Sequence, residues 1–328
     1  VIDPAARWAG LGEGGMEKPA WAGLPSFADL PWSEDPADLE GVDVAIVGAP
    51  FDELVSDRPG ARFGPRAIRA ASPTASFHLE ERIDWAETLT VIDYGDAPIV
   101  PANPDASLAA IEKTVAEVVA AGAIPIVLGG DHSIAEPDVT ACAASGGPIG
   151  LLHFDTHTDT ADELHGQKRS HGTPMRRLVE DGVVDPQRYV QIGLRGWWPE
   201  AEDLAWQESL GITTFFMHDI ERDGIDAVLE SAFGALGSGP VFLTVDVDVL
   251  DPAFAPGTGT PEPGGMTSAQ LLRSCRIAAR ELNLVGADVV ETLPLTVEDA
   301  TAVVANRLVA SILTGLAVRK HASGAGPF

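Results

Sequence analysis

Asp155, His157 and Asp159 occupy every second position of one short segment, and Asp246 and Asp248 repeat that spacing later in the chain. In extended backbone, alternate side chains point to the same side, so each segment is expected to present its carboxylates and imidazole together. His132, in Gly129-Gly130-Asp131-His132-Ser133, leaves from a third segment. Two neutral imidazoles and four carboxylates that converge suit two divalent cations sharing bridging carboxylates. Without cations, four buried carboxylates side by side would repel strongly. Oxygen-rich ligation with no thiolate favours Mn2+ over structural zinc, and ligand type alone leaves Ni2+, Co2+ and Fe2+ open. The competing reading is a calcium-like structural site or a polar network at strand ends, but histidines suit Ca2+ poorly.

Such ligands need a rigid edge. Apolar runs at Val42–Val47, Leu89–Ile92, Ile124–Leu128, Ile149–His153, Tyr189–Ile192, Ile212–Phe216, Val241–Val245 and Leu284–Val290 read as strands. Helical stretches are expected at Pro104–Ala121, Ser170–Glu180, Glu200–Leu210, Ile225–Leu236, Ser268–Asn283 and Ala300–Leu316. This alternation predicts an α/β protein: a three-layer α/β/α domain over residues 41–328, with a mostly parallel sheet of about eight strands. Residues 1–40, rich in Pro, Trp and Gly, read as an arm lying on the body or on a neighbouring subunit. Ligands of such sheets bind beyond the C-terminal strand ends. Four runs lead there into His132, Asp155, Asp246 and Glu291.

The 328 residues carry 21 Lys plus Arg against 49 Asp plus Glu, a formal net charge of −28. That balance argues against nucleic acid and against an anionic membrane surface as partners, since both recruit clustered cations. With 45% hydrophobic residues the chain can bury a large core. Cys142 and Cys275 lie in apolar helical context and read as buried thiols. No apolar run of membrane-spanning length is present, and Val1–Leu24 lacks a basic start and an apolar run, so no secretory leader is expected and the location expected is cytoplasmic.

Gly-Gly-Asp-His-Ser at 129–133, Asp-x-His-x-Asp at 155–159, and Asp-x-Asp at 246–248 followed by Asp251-Pro252 and Pro256-Gly257 together resemble the ureohydrolases: arginases, agmatinases and guanidino-acid hydrolases. The order holds from about residue 40 to 318. Phe51-Asp52-Glu53, Arg58-Pro59-Gly60-Ala61-Arg62-Phe63-Gly64-Pro65 and Ile192-Gly193-Leu194-Arg195-Gly196 are similar to the agmatinase branch.

The resemblance implies one metal on His132, Asp155, Asp159 and Asp246, and another on Asp155, His157, Asp246 and Asp248. It also implies hydrolysis of a small cationic guanidino substrate to urea and an amine by a hydroxide held between the cations. His171, in His171-Gly172-Thr173-Pro174, matches the histidine that shuttles a proton to the leaving amine. Glu291 matches the carboxylate that clamps the guanidinium by paired hydrogen bonds. A homo-oligomer, trimer or hexamer, is implied as well. A catalytically silent subunit would have lost ligands, and all six are present.

Two places depart from the agmatinase pattern. Thr156 stands where an alanine is usual, and Thr292-Leu293-Pro294-Leu295-Thr296-Val297-Glu298-Asp299 replaces the usual Pro, aromatic and Asp after Glu291. Agmatine is therefore the default substrate. Its amine would want a carboxylate such as Asp162 or Glu163, whereas guanidinobutanoate would want a cation such as Lys168 or Arg169. Tailless guanidines and biguanide-like compounds, for which some relatives use nickel, stay open. His165 reads as part of a solvated loop or as a pocket rim. His153 is expected to pack behind the ligands, and Asp131 to orient a ligand or cap a helix. Trp197 and Trp198 are expected in packing or at an interface.

Overall fold

The computed structural model describes residues 25–71, 75–144, 146–296 and 299–324. The strands are β1 (Val44–Gly48), β2 (Phe77–His78), β3 (Ile83–Asp84), β4 (Val91–Asp96), β5 (Ile124–Leu128), β6 (Ile149–Phe154), β7 (Val184–Leu194), β8 (Thr213–Phe216), β9 (Pro240–Asp246) and β10 (Asn283–Val290). The α-helices are α1 (Gly64–Ala70), α2 (Trp85–Thr88), α3 (Pro104–Ala120), α4 (Ala135–Ala143), α5 (Pro174–Glu180), α6 (Ala201–Leu210), α7 (Met217–Asp223), α8 (Ile225–Leu236), α9 (Ser268–Glu281) and α10 (Ala300–Ser323).

Eight strands form one sheet in the order β4-β1-β5-β10-β9-β6-β7-β8, while β2 and β3 make a small antiparallel pair. Every pairing of neighbours in the large sheet is parallel. Strands β1, β5 and β6 are buried at every residue, the mark of a sheet covered on both faces. Two apolar clusters fill those faces. One holds Ile46, Phe154 and Leu243 against α8, α9 and α10; the other holds Val47, Leu151 and Phe242 against α3, α4 and α5. Each of the eight apolar runs becomes a strand of the sheet.

Two features of the chain ends bear on the expectations. Residues 25–40 lie on the body: Phe27 is fully buried and its backbone N–H donates to Asp93 Oδ2 at 2.7 Å. The rest of the expected arm, residues 1–24, lies outside the described residues. At the other end, α10 is long and apolar enough to cross a membrane by length and composition alone. However, 72% of its apolar window is buried inside the protein, which makes it a core helix packed along α9. Asp299 caps it, accepting from Thr301 N at 2.8 Å.

The four central strands are β5, β10, β9 and β6. These are the strands whose C-terminal ends lead into His132, Glu291, Asp246 and Asp155, so the topology gathers the candidate ligands at the middle of one sheet edge.

Candidate metal centre and active site

The ligand segments converge by a route other than strand alternation. β6 ends at Phe154, and Asp155–Asp159 is a bent loop in which Asp159 takes φ 52°. Within it, Asp155 Oδ1 accepts from the backbone N–H of His157 at 2.6 Å. Asp246 ends β9, and its Oδ1 accepts from Asp248 N–H at 2.7 Å. Asp131 treats Ser133 N–H the same way at 3.0 Å, capping the turn that carries His132. The Asp-x-His, Asp-x-Asp and Asp-x-Ser spacings are thus self-bonded aspartate turns, which fold the chain back as it leaves the sheet. Glycine is required at 130, where a Cβ would stand 1.9 Å from the carbonyl oxygen of Phe51.

His132 Nδ1 lies 2.9 Å from Asp159 Oδ2, 3.1 Å from Asp155 Oδ2 and 3.4 Å from Asp246 Oδ2. Its Nε2 is 2.8 Å from Thr244 Oγ1, and Thr244 gives its own hydroxyl proton to Asp288 Oδ1 at 2.6 Å. Nε2 must therefore carry the ring proton in the neutral imidazole, leaving a bare lone pair on Nδ1 aimed at three carboxylate oxygens. That buried nitrogen has no hydrogen-bond partner. Donor atoms about 3 Å apart are the spacing of adjacent ligands around a hard cation with bonds of about 2.1 Å. A divalent cation fits; a bare lone pair among anions does not.

A second group lies beside the first. His157 Nδ1 is 3.1 Å from Asp248 Oδ2 and 3.5 Å from Asp155 Oδ1. Asp155 belongs to both groups, consistent with a shared ligand. Among residues close enough to hold an ion, His153 joins the first group, yet both its nitrogens are already bonded, one to Tyr189 and one to Asp155. Its ring thus backs Asp155 from the side of Tyr189.

The electrostatics agree with this crowding. Burial, with Asp248 and Asp155 nearby, pushes the Asp246 carboxyl well above its usual range. Burial also raises Asp248 to about 6, against the pull of His157. Burial lowers the pKa of both His132 and His157, but the facing carboxylates outweigh it and the net shift is upward. Without cations the site takes up protons; cations would replace them.

Glu291 follows β10 directly and holds φ 59°, a strained backbone for a non-glycine residue. Its Oε1 accepts from the backbone N–H of His132 at 3.0 Å and from His171 Nδ1 at 2.9 Å. Its Oε2 is buried and unpartnered. Of its two carboxylate oxygens, one is thus committed within the protein, where the expected clamp uses both. The other nitrogen of His171 accepts from Ser56 N–H at 3.1 Å and meets Ser56 Oγ at 2.7 Å. Burial lowers the His171 pKa, but Glu291, Asp159 and Asp131 more than offset it and carry it to about 9.

A cleft of about 290 Å3 is lined by His157, Asp159, Asp246 and His171 and by Ser56, Leu164, His165, Trp198 and Thr260; Glu291, 1% exposed, lies behind His171 and is not among the lining residues. His165 thus lines the cleft. Trp198 packs edge-on against His157 with ring centroids 5.7 Å apart, whereas Trp197 is 95% exposed. Asp162 is not brought to the cleft: Lys168, Arg176 and Arg177 engage its carboxylate and hold its pKa near 2. Arg169 is paired with Asp105 and Glu136. Sequence reasoning missed Ser56, Thr244 and Thr260, which carry no motif. It also missed the work of Arg195, whose guanidinium donates to the carbonyls of Asp248, Val249 and Glu262 and so pins the turn holding Asp248.

The comparisons with known proteins point the same way. The profile of the arginase family matches residues 42–315. The guanidinopropionase of Pseudomonas aeruginosa is 43% identical over 304 residues, covering 92% of this chain and 94% of that protein. The agmatinase of Chromobacterium violaceum is 40% identical over 296 residues, 89% of this chain and 88% of that one. Among solved structures, proclavaminate amidino hydrolase from Streptomyces clavuligerus superposes with a TM-score of 0.87 at 33% identity, covering 92% of this chain and all of that one. Trypanosoma cruzi formiminoglutamase with Mn2+ superposes with a TM-score of 0.80 at 27% identity, covering 90% of this chain and 99% of that one. Matched along nearly its whole described length, in sequence and in fold, this chain belongs to the arginase family of metal-dependent hydrolases.

Proposed function

We propose that the protein hydrolyses a small guanidino compound to urea and an amine at a pair of divalent cations. The observation that carries this is the bare, buried Nδ1 of His132 among three carboxylates, beside the unpartnered Oε2 of Glu291. Cations held there would neutralise the aspartates and would supply a water acidic enough to attack at neutral pH. His132, Asp155, Asp159 and Asp246 would hold one cation, and Asp155, His157, Asp246 and Asp248 the other. Glu291 offers its free oxygen to the planar, weakly hydrated guanidinium. His171 stands at the cleft wall with its ring pulled two ways: Glu291 favours a second proton, and the Ser56 N–H opposes it. With its pKa carried to about 9, the ring holds its second proton at neutral pH and can give it to the leaving amine.

Mn2+ is the proposed ion, with Ni2+ second. The oxygen-rich, thiolate-free donor set supports it, and so does the Mn2+ named for the Trypanosoma cruzi neighbour. Agmatine is the default substrate. A guanidino acid is the second reading, favoured by the 43% identical guanidinopropionase. Asp162, Lys168 and Arg169 are paired among themselves and with neighbours, and Glu163 makes no ion pair among the described residues but does not line the cleft. The tail would instead run over Leu164, His165 and Trp198. A homo-oligomer, trimer or hexamer, belongs to this reading; exposed Trp197, Leu79 and Phe63 are apolar surface that a second copy could cover. A cytoplasmic location goes with the two free, buried thiols. The test is urea release from agmatine, arginine, guanidinopropionate, guanidinobutanoate and guanidine, each with Mn2+ and with Ni2+. Urea from at least one, dependent on metal, is expected; none from any would overturn the proposal.

A further inference from the structure

A line of buried polar side chains runs behind the ligand loop, where the surroundings are otherwise apolar. Thr158, Thr160, Gln191, Gln207, Tyr189 and His153 are each at most 1% exposed. Thr160 Oγ1 donates to Gln207 Oε1 at 2.7 Å, and Gln207 Nε2 donates to Gln191 Oε1 at 3.0 Å. Gln191 Nε2 donates to the Tyr189 hydroxyl and to the carbonyl of Thr158, both at 2.8 Å. Tyr189 reaches His153 Nδ1 at 3.0 Å, and His153 Nε2 reaches Asp155 Oδ2 at 2.8 Å.

The direction of every bond follows from donor chemistry. The carbonyl of Thr158 can only accept, so it fixes which end of the Gln191 amide faces it. That amide nitrogen then donates to the Tyr189 oxygen, whose single proton is left for His153 Nδ1. With Nδ1 accepting, the proton of the neutral ring sits on Nε2 and faces Asp155.

We propose that Tyr189, Gln191 and Gln207 are positioning residues that act through His153: one donor chain, anchored at both ends on the Asp155–Thr160 loop, sets the aim of the carboxylate shared by the two metal groups. The proposal rests on the metal reading above. Partners behind a ligand fix its orientation and basicity, and losing one typically costs tenfold to a hundredfold in metal affinity. Gln207 lies on α6 and Gln191 on β7, so the chain couples the outer half of the sheet to the ligand loop. Gln191 Nε2 also lies 3.4 Å from His153 Nδ1 and can stand in when the tyrosine hydroxyl is removed.

The test titrates metal-free protein with Mn2+ by calorimetry and measures kcat and KM at saturating Mn2+ for wild type, Tyr189→Phe, Gln191→Leu, Gln207→Leu, His153→Leu and His153→Gln. Gln191→Leu should bind Mn2+ about tenfold to a hundredfold more weakly and lose kcat while KM for the guanidino substrate stays within about twofold. Tyr189→Phe should lose less. The double variant Tyr189→Phe/Gln191→Leu should be no worse than His153→Leu, and His153→Gln, which keeps an N–H donor, should recover part of the loss. Should Gln191→Leu not fold, Gln207→Leu, which touches no ligand, carries the same expectation in weaker form. Variants that melt earlier but bind Mn2+ with wild-type affinity and turn over normally would overturn the proposal. A wild-type protein that binds no Mn2+ would contradict the metal reading instead.

Discussion

His132 Nδ1 faces Asp159 Oδ2 at 2.9 Å while its other ring nitrogen is committed to Thr244. The hydroxyl of Thr244 therefore decides which nitrogen of His132 is free for a cation. Thr244→Val keeps the shape and removes the acceptor. It should weaken binding of one Mn2+ equivalent by about tenfold to a hundredfold, read by calorimetry, with the fold retained. Asp246→Ala should disturb both equivalents and Asp159→Ala mainly one. Near-normal turnover by Asp246→Ala would contradict the ligand assignment.

His171→Asn should keep metal content and lower kcat by roughly 10²–10⁴, the usual worth of a positioned acid or base. Ser56→Ala, which removes only the hydroxyl at Nε2, should cost less. Loss of metal together with activity in His171→Asn would place His171 among the ligands and end its proposed role.

The folded pKa values of His132 and His157 lie above ordinary histidine, and that of Asp248 is raised to about 6. A histidine raised on folding stabilises fully below its unfolded pKa, near 6.5, and that contribution fades as pH rises through the folded value. A carboxyl raised on folding costs stability as pH rises from about 4 to about 6, because only the unfolded form ionises freely there. Both signs agree. Metal-free protein should become more thermostable as pH drops from 8 towards 5, whereas Mn2+-loaded protein should become less so, since protons displace the ion. Calorimetric melting at several pH values, with chelator or with Mn2+, reads this directly. Parallel curves for the two forms would contradict it.

Much of the fold was legible because its strands are short, continuous apolar runs, and those runs appear wherever both sheet faces are covered. Helix α4 was read only as apolar helical context around Cys142, without bounds: Pro137 and Asp138 interrupt its apolar pattern, yet Pro137 falls in the first turn, where its missing N–H costs nothing. The convergence of His132, Asp155, His157, Asp159, Asp246 and Asp248 at one sheet edge was legible from residue types and spacing, but for an incomplete reason. Asp155 and Asp246 bond the N–H two residues on, and Asp159 and Glu291 take left-handed backbone. No periodicity announces either feature. Thr244 and Gln191 lay inside runs that register only as apolar strands, so their polar work was invisible until the strands were stacked side by side.

Trp197 is 95% exposed and Leu79 82%, and the proposed oligomer would give such side chains a surface to pack on. Light scattering at micromolar concentration should give a mass of three or six copies, and Trp197→Ser should lower it if that side chain lies at the contact. A monomer would remove the oligomer from the account.

The central claim is that a guanidinium cation is bound and cleaved beside the metal site, with Glu291 as its anionic partner. The most direct measurement compares urea release and bound Mn2+ for wild type and Glu291→Gln on the best guanidino substrate. The substitution keeps the shape of the side chain and removes its charge. The account predicts unchanged metal content, with both turnover and substrate binding sharply reduced. Wild-type rates in Glu291→Gln, or efficient hydrolysis of a neutral amide with no urea from any guanidine, would contradict it.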